Sequence, residues 1–217
     1  MELKGFILRS KLLGNKLKII TAYTDKLGKV DFIAKTKRGD FPLKLDLFSL
    51  SRFLVLQKGE KWELQEAFLV RHHFPQSLEQ FYYLSRISKL LIFRELPRNE
   101  KLFKLIDNYF LVEDSFELAY TMFLLKFSFI EGIFPALTKC IDCGNSRIVI
   151  FSFSKGGVLC QKCKNKSEEI VPWNVFLSKL SIRLAKEPFS KVKNEKISLR
   201  NLYVINTVFE KHLRLRL

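Results

Sequence analysis

The 217-residue sequence has little of what most enzymes work with. It contains only 3 histidines. Two of them, His72 and His73, are neighbours, so an extended chain would turn them to opposite faces. No GxxxxGK[ST] phosphate loop, GxSxG elbow, HExxH zinc motif or glycine-rich dinucleotide turn occurs. The carboxylates Glu60, Glu63 and Glu66 alternate with Lys58 and Lys61, as on a solvated strand, and no pair carries the signature of acid–base work. These absences argue against an enzyme. Internal repeats and low-complexity tracts are also missing. Residues 1–10 lack a long apolar core and a small-residue cleavage site, so they do not read as a signal peptide. The most apolar stretch, residues 118–134, is interrupted by Lys126 and Glu131 and is short of the about 20 residues a bilayer needs. A buried helix in a cytosolic chain is expected there.

Acidic residues are scarce relative to basic ones. The counts are 38 Lys+Arg against 22 Asp+Glu, a formal net charge of +16. A surplus of this size speaks to partners, not to fold. It favours nucleic acid or an anionic surface. The surplus is also segregated. Residues 1–75 hold 15 basic and 8 acidic residues, residues 76–139 hold 8 of each, and residues 140–217 hold 15 and 6. Solubility alone would not need a neutral middle between two basic ends. Hydrophobic residues make up 47% and Phe alone numbers 21, so the chain can bury a substantial core.

The patterning predicts an α+β chain. Short apolar runs at 2–12, 16–24 and 29–34 are separated by Gly14-Asn15 and by the turn residues 25–28. A basic loop at 35–47 follows, then runs at 50–57 and 61–70. Five strands in about 70 residues suit a small barrel. From Ser77 the period becomes helical. Ser77 and Gln80 read as a reciprocal capping box, followed by Leu78, Phe81, Tyr82, Leu84, Ile87, Leu90 and Leu91, with Pro97 ending the helix. Helices at 100–111, from a cap at Asp114 to about 133, at 173–186 and from Ser198 onward complete the reading. The 173–186 helix would bury Phe176, Leu177, Leu180 and Leu184. The last would bury Leu202, Tyr203, Phe209 and Leu213.

Cysteine is rare, and its placement is specific. Cys140 and Cys143 form one C-x-x-C pair, and Cys160 and Cys163 another, with 16 residues between the pairs. Two residues between thiolates let one tight turn present both sulfurs to one metal, and two such knuckles complete a tetrahedron. Ile148 to Phe153 and Val158 to Cys160 flank a turn, so a hairpin is expected to bring the knuckles together. Four thiolates leave no open position, so zinc here would be structural. Two disulfides or four buried thiols are the alternatives. With thiolates and Zn2+ counted, the formal charge falls to about +14.

The basic loop supplies the candidate nucleic-acid residues. Lys35, Lys37, Arg38 and Lys44 are the principal phosphate contacts expected, with Lys16 and Lys18 beside them. Tyr23, Phe32 and Phe41 are candidates for base stacking. A solvated charged loop over core aromatics is the alternative.

The order of parts resembles the bacterial RecO DNA repair family. Gly28-Lys-Val-Asp-Phe-Ile-Ala-Lys35 followed by Lys37-Arg38 resembles the family's segment ending in Ala-Lys and then basic residues, with Thr36 where glycine is common. Leu47-Phe-Ser-Leu50 resembles the run that follows. Gly132-Ile-Phe-Pro135, then Cys140-Ile-Asp-Cys143-Gly144, matches the family's central string, and Gly156-Gly-Val-Leu-Cys160-Gln-Lys-Cys163 its second half. The resemblance implies an OB-fold barrel over 1–75, a helical domain over 76–139 and 164–217, and a zinc module at 140–163. It implies a non-catalytic recombination mediator at the nucleoid. Such a protein binds single- and double-stranded DNA, anneals complementary strands, and with RecR helps load RecA on DNA coated by single-strand-binding protein. A protein-docking adaptor with incidental DNA binding is the other main reading, and a metal-dependent nuclease a distant third.

Overall fold

A computed structural model describes residues 1–14, 17–35, 43–164 and 169–217. The chain divides into two compact units, Met1–Asp114 and Ser115–Leu217.

The first unit begins with five strands: β1 (Glu2–Leu13), β2 (Leu17–Thr24), β3 (Gly28–Lys35), β4 (Leu50–Lys58) and β5 (Lys61–Arg71). They close as β1-β2-β3-β5-β4 and back to β1, with β3 and β5 parallel and the other pairs antiparallel. Closure removes the sheet edges, and this order is that of an OB-fold barrel. Alternate residues fill the interior: Ile20 and Ala22, Phe32 and Ala34, Phe53 and Val55, with Leu3, Ile7 and Leu45. The register shifts between Ile7 and Arg9. This bulge changes which face the odd-numbered residues of β1 use, so Ile7 points in and Arg9 points out.

Two helices complete this unit: α1 (Leu78–Ile92) and α2 (Glu100–Phe110). They belong with the barrel. Phe6 packs on Phe103 and Phe110 at 5.1 and 5.4 Å between ring centres. The Tyr23 hydroxyl accepts the Asn99 N–H at 3.0 Å and lies 3.0 Å from the Pro97 carbonyl. Gly28 has φ +71°, and a Cβ there would sit 2.3 Å from the Leu96 carbonyl oxygen. Only glycine lets the start of β3 meet the α1–α2 link this closely. Half of the expected capping box forms. Ser77 Oγ accepts the Gln80 N–H at 3.1 Å, but Gln80 Oε1 reaches the Gln76 N–H instead of the Ser77 one. The first turns of α1 are exposed at Leu78, Phe81 and Tyr82, and the helix ends at Ile92, before Pro97 can end it.

The second unit starts with α3 (Phe116–Ile130). Ser115, with φ 53°, precedes it, and no side-chain cap forms, so the Asp114 cap is not made. Its end is a Schellman motif: Gly132 (φ +72°) donates to the Phe129 carbonyl and Ile133 to that of Ser128. Helix α3 is buried nearly all round. Its one internal cation, Lys126, donates to the Ala185 and Glu187 carbonyls at 2.9 and 2.7 Å. It thereby satisfies the orphan carbonyls at the end of α4 (Val175–Lys186). A three-stranded sheet, β7-β6-β8, lies between α3 and α4 in sequence: β6 (Ile148–Ser152), β7 (Gly157–Cys160) and β8 (Ile170–Pro172). The third strand was not expected; Pro172 ends it and does not start the helix, which is capped by Asn174 Oδ1 accepting from Leu177. A short α5 (Phe189–Val192) interrupts the expected loop, and α6 (Leu199–Arg216) closes the chain. Phe176 and Tyr203, expected inside, are 59% and 69% exposed. No helix among the described residues is long and apolar enough to cross a membrane.

Candidate functional site

The cysteine hairpin positions four sulfurs by backbone geometry. Each C-x-x-C pair sits on a tight turn. The Gly144 N–H donates to the Cys140 carbonyl at 2.8 Å, and the Cys163 N–H to the Cys160 carbonyl at 3.2 Å. Gly144 has φ +73°, which lets the first turn close. Strands β6 and β7 pair antiparallel, and the Ile141 N–H donates to the Val158 carbonyl at 3.0 Å, which brings the first knuckle to the second. The four Sγ atoms lie within 4.8 Å of one another. The Cys143 and Cys160 sulfurs are 3.6 Å apart. A tetrahedral zinc–sulfur centre, with bonds of about 2.3 Å, has sulfurs about 3.8 Å apart. The donor set and its spacing therefore fit one metal ion of thiolate preference.

The thiols also show why a cation suits them. Burial pushes the Cys140 thiol up, but hydrogen bonds from the backbone at Cys160, Cys143 and Asp142 outweigh it and bring it down to about 6. Cys163 is pushed up to about 12 by its contact with the Cys143 sulfur and by burial. Cys160 is likewise shifted down, first by the backbone at Cys163. For Cys143, hydrogen bonding from the Asn145 backbone is outweighed by contacts with the Cys160 and Cys140 sulfurs, which shift it up. Two thiolates therefore form readily and disfavour the other two. A shared divalent ion removes that conflict by neutralising the charge that separates the two values.

The hairpin is tied to the end of α6. Arg216 donates to the Ser154 carbonyl at 2.8 Å, and His212 Nε2 lies 2.8 Å from the Ile133 carbonyl. Lys211 stands 4.8 Å from the Phe153 ring centre and forms an ion pair with Glu169. Gly156 allows this approach, since a Cβ there would meet Arg216 at 2.9 Å. Gly157 instead lets the hairpin meet the segment before it, where a Cβ would sit 2.8 Å from the Ala136 carbonyl oxygen. The sequence offered only basic residues in a final helical turn as a signal for this clamp.

The barrel carries the other candidate surface. On the outer face of β1, β2 and β3 the register makes three rungs: Arg9–Thr21–Asp31, Lys11–Ile19–Ile33 and Leu13–Leu17–Lys35. Lys35 and Lys11 are exposed there. The two-residue period that turns Leu17 and Ile19 outward turns Lys18 inward, where it is 6% exposed and 3.8 Å from Asp46. Lys44 lies half-buried on a single 3-10 turn, Leu43–Leu45. Lys16, Lys37, Arg38 and Phe41 lie outside the described residues. Tyr23 and Phe32 are fully buried, so they do not stack on a ligand; Phe32 packs on Phe53 at 5.2 Å and Tyr23 holds the α1–α2 link. That Arg9 and Lys11 share this outer face is not legible in the sequence, because the bulge in β1 conceals it.

A sequence profile described as "Recombination protein O C terminal" matches residues 75–217. The chain belongs to the RecO family. It is similar to the "DNA repair protein RecO" of Thermoanaerobacter sp. (strain X514), 25% identical over 91% of this chain and 85% of that one. The proteins of the same name from Alkaliphilus metalliredigens and Caldicellulosiruptor saccharolyticus are 24% and 26% identical. They cover 100% and 99% of this chain and 94% and 92% of their own lengths. For this RecO-family chain a role in DNA repair follows, and its parts are an N-terminal OB-type barrel and a helical unit bearing a four-cysteine centre.

Proposed function

We propose that the chain is a recombination mediator that binds single- and double-stranded DNA and anneals complementary strands. Acting with a RecR-like protein, it helps load RecA on DNA coated by single-strand-binding protein. The observation that carries this reading is the OB-type barrel whose β2–β3 face presents an apolar rung bordered by cations. That face and the neighbouring loops are where such barrels hold oligonucleotides. Lys35, Lys37, Arg38 and Lys44, with Lys16 and Lys18, are the proposed basic set, and Arg9 and Lys11 extend it on the described face. Lys18, facing inward, would act by positioning Asp46 and the 3-10 turn.

The mechanism is electrostatic and needs no bond chemistry. Lysines and arginines neutralise phosphates and release counterions, which lets two strands approach. The apolar rung gives bases a surface away from water. Zinc, held by Cys140, Cys143, Cys160 and Cys163, would supply cross-linking of the two knuckles and nothing else, because four thiolates fill its coordination. Those residues set the hairpin, and α6 holds it. The protein is proposed to act in the cytoplasm at the nucleoid.

A salt titration tests the reading. With about five phosphates contacted on a single strand, log K should fall with a slope of roughly −3 to −4 against log salt. Lys35→Glu with Lys44→Glu should flatten it by about 1.4. A strand-annealing assay with and without single-strand-binding protein reads the activity itself. A flat slope in the unaltered protein would remove DNA binding and leave the docking-adaptor reading.

A further inference from the structure

A second basic surface, unrelated to the barrel and to the cysteines, lies in the Ser115–Leu217 unit. Helix α4 buries Leu177, Leu180, Ser181 and Leu184. Its opposite stripe, at helical spacing, carries Phe176, Lys179, Arg183 and Lys186. The segment leading into α6 and that helix's first turns expose Lys196, Arg200 and Tyr203. Between the two stripes is a cleft of about 520 Å³, lined by Phe176, Lys179 and Arg183 on one wall and by Lys196 and Asn201 on the other.

Both carboxylates near this cleft are already engaged. Glu195, which also lines it, takes both Arg183 N–H groups at 2.8 and 2.6 Å. Glu187 pairs with Lys191 at 2.8 Å. Lys179, Lys186, Lys196 and Arg200 have no carboxylate within ion-pair distance among the described residues. The first turn of α6 contains no acid. Each wall thus offers one cation without a carboxylate partner among the described residues, Lys179 and Lys196. Phe176 (59% exposed) lines the cleft, while Arg200 and Tyr203 (69% exposed) lie beyond its lining on the first turns of α6.

We propose that this cleft is a second site for single-stranded DNA, separate from the barrel. Lys179 and Lys186, seven residues and about 10 Å apart along α4 at 1.5 Å per residue, suit a linear polyanion better than a compact one. Exposed rings beside them favour unpaired bases, which stack on any aromatic face, over a duplex whose bases are already stacked. Two sites, one in each unit, would let one chain hold two strands, as annealing requires. The inference goes beyond the barrel reading and stands or falls on different residues.

The test uses full-length, metal-loaded protein and a labelled dT12 oligonucleotide across a salt series. Lys179→Glu with Arg200→Glu should weaken binding at low salt at least tenfold and flatten the salt slope by about 1.4. Glu at position 200 suits the helix dipole, so α6 is retained. Phe176→Ala with Tyr203→Ala should weaken binding at least fivefold with the slope unchanged. Photocrosslinking of 4-thio-dT12 should label the peptide spanning residues 173–203. The same measurements on Lys35→Glu with Lys44→Glu report the barrel independently: if only that pair changes binding, the cleft is not a DNA site; if only the cleft variants do, the barrel reading fails instead. Unchanged affinity and slope in both cleft variants would overturn the proposal. So would a poly-Glu 12-mer that occupies the cleft and leaves dT12 binding intact, since the cleft would then serve an acidic protein segment.

Discussion

The barrel and the cysteine hairpin solve the same problem by opposite means. Both are small β structures in a chain with no excess of glycine or proline. The barrel closes on itself, and ten residues form one buried apolar cluster inside it, with Phe32 and Phe53 at its centre. At the knuckle end of the hairpin Cys140 and Cys160 cluster with Ile150 and Leu159, whereas Phe151 is buried at the other end against Trp173 and His212. The barrel is therefore held by burial of apolar area, and the hairpin needs a cation to hold its two knuckles together. The two tryptophans separate the readouts, because Trp62 lies in the first unit and Trp173 in the second. Trp173→Phe leaves a fluorescence probe of the barrel, and Trp62→Phe a probe of the cysteine unit.

The largest expected effect breaks the hairpin alone. Cys140→Ser, or a chelator, should abolish stoichiometric metal binding. It should also remove hydrogen-exchange protection across β6 and β7, with a free-energy coupling on the order of 10 kcal/mol between metal and local folding. Amides of β1 to β5 should stay protected. If barrel amides lose protection in parallel, the hairpin is not a separately stabilised element and the contrast fails.

A smaller effect should break the barrel at the point where α1 and α2 join it. Gly28→Ala places a methyl group 2.3 Å from the Leu96 carbonyl at φ +71°, whereas Gly59→Ala at φ +60° meets nothing within 4 Å. The second substitution costs only left-handed backbone strain, about 1 kcal/mol. The first should cost about 3–5 kcal/mol because the α1–α2 link must also move. Urea unfolding of the Trp173→Phe protein compares them. Equal losses would show that the link is not fixed against β3.

The barrel and the metal knuckles were the most legible parts of the sequence, because local signals encode them. Turns at 25–28 and 59–60 and short apolar runs between turn residues mark five strands, and C-x-x-C fixes two knuckles. What was not legible depends on contacts distant in sequence. Tyr23 reads as a possible stacking residue until its hydroxyl is seen on Asn99, 76 residues away. Lys18 reads as a surface cation until the register turns it inward onto Asp46. Asp114 has the composition of a cap, but the chain enters α3 through Ser115 in the left-handed region, which moves the carboxylate off the helix end. Phe176 and Tyr203 have the spacing of core residues, yet the faces that α4 and α6 bury are set by α3, and periodicity does not specify a partner.

Tyr23→Phe refines the same junction at lower cost. The hydroxyl removed is the acceptor for the part-buried N–H of Asn99, the residue whose Oδ1 caps α2. An unsatisfied amide costs about 1–2 kcal/mol, without the steric term of the glycine substitution. The loss should appear in the urea midpoint reported by Trp62, with no change in metal content. A neutral result would mean that water replaces the hydroxyl and that packing of Phe6 on α2 alone seats the helix.

The smallest effect tests whether the two units also respond differently to acid. His73 follows β5 and packs edge-on against Phe110 at 6.2 Å, and its Nε2 accepts the Arg71 Nε–H at 3.0 Å. Burial first, and then the Arg71 charge, pushes its pKa down to about 4. The folded ring stays neutral, while the unfolded chain takes up a proton below about 6.5. The unfolded state therefore binds more protons between about pH 6.5 and 4, and stability of the first unit should fall as pH drops through that window and be fully present above it. The whole shift would correspond to about 3 kcal/mol, but the ring is partly exposed, so a loss on the order of 1 kcal/mol between pH 7 and pH 5 is expected. His73→Phe keeps the edge contact with Phe110 and cannot titrate, so its urea midpoint should be flat across the same window. The cysteine unit should lose stability in acid for a different reason, protonation of its ligands, and should do so in step with metal release. If His73→Phe abolishes the acid response of the Trp62 probe and leaves that of the Trp173 probe intact, burial and metal binding are the separate foundations of the two units; if neither response changes, His73 is not the group that links the barrel unit to pH.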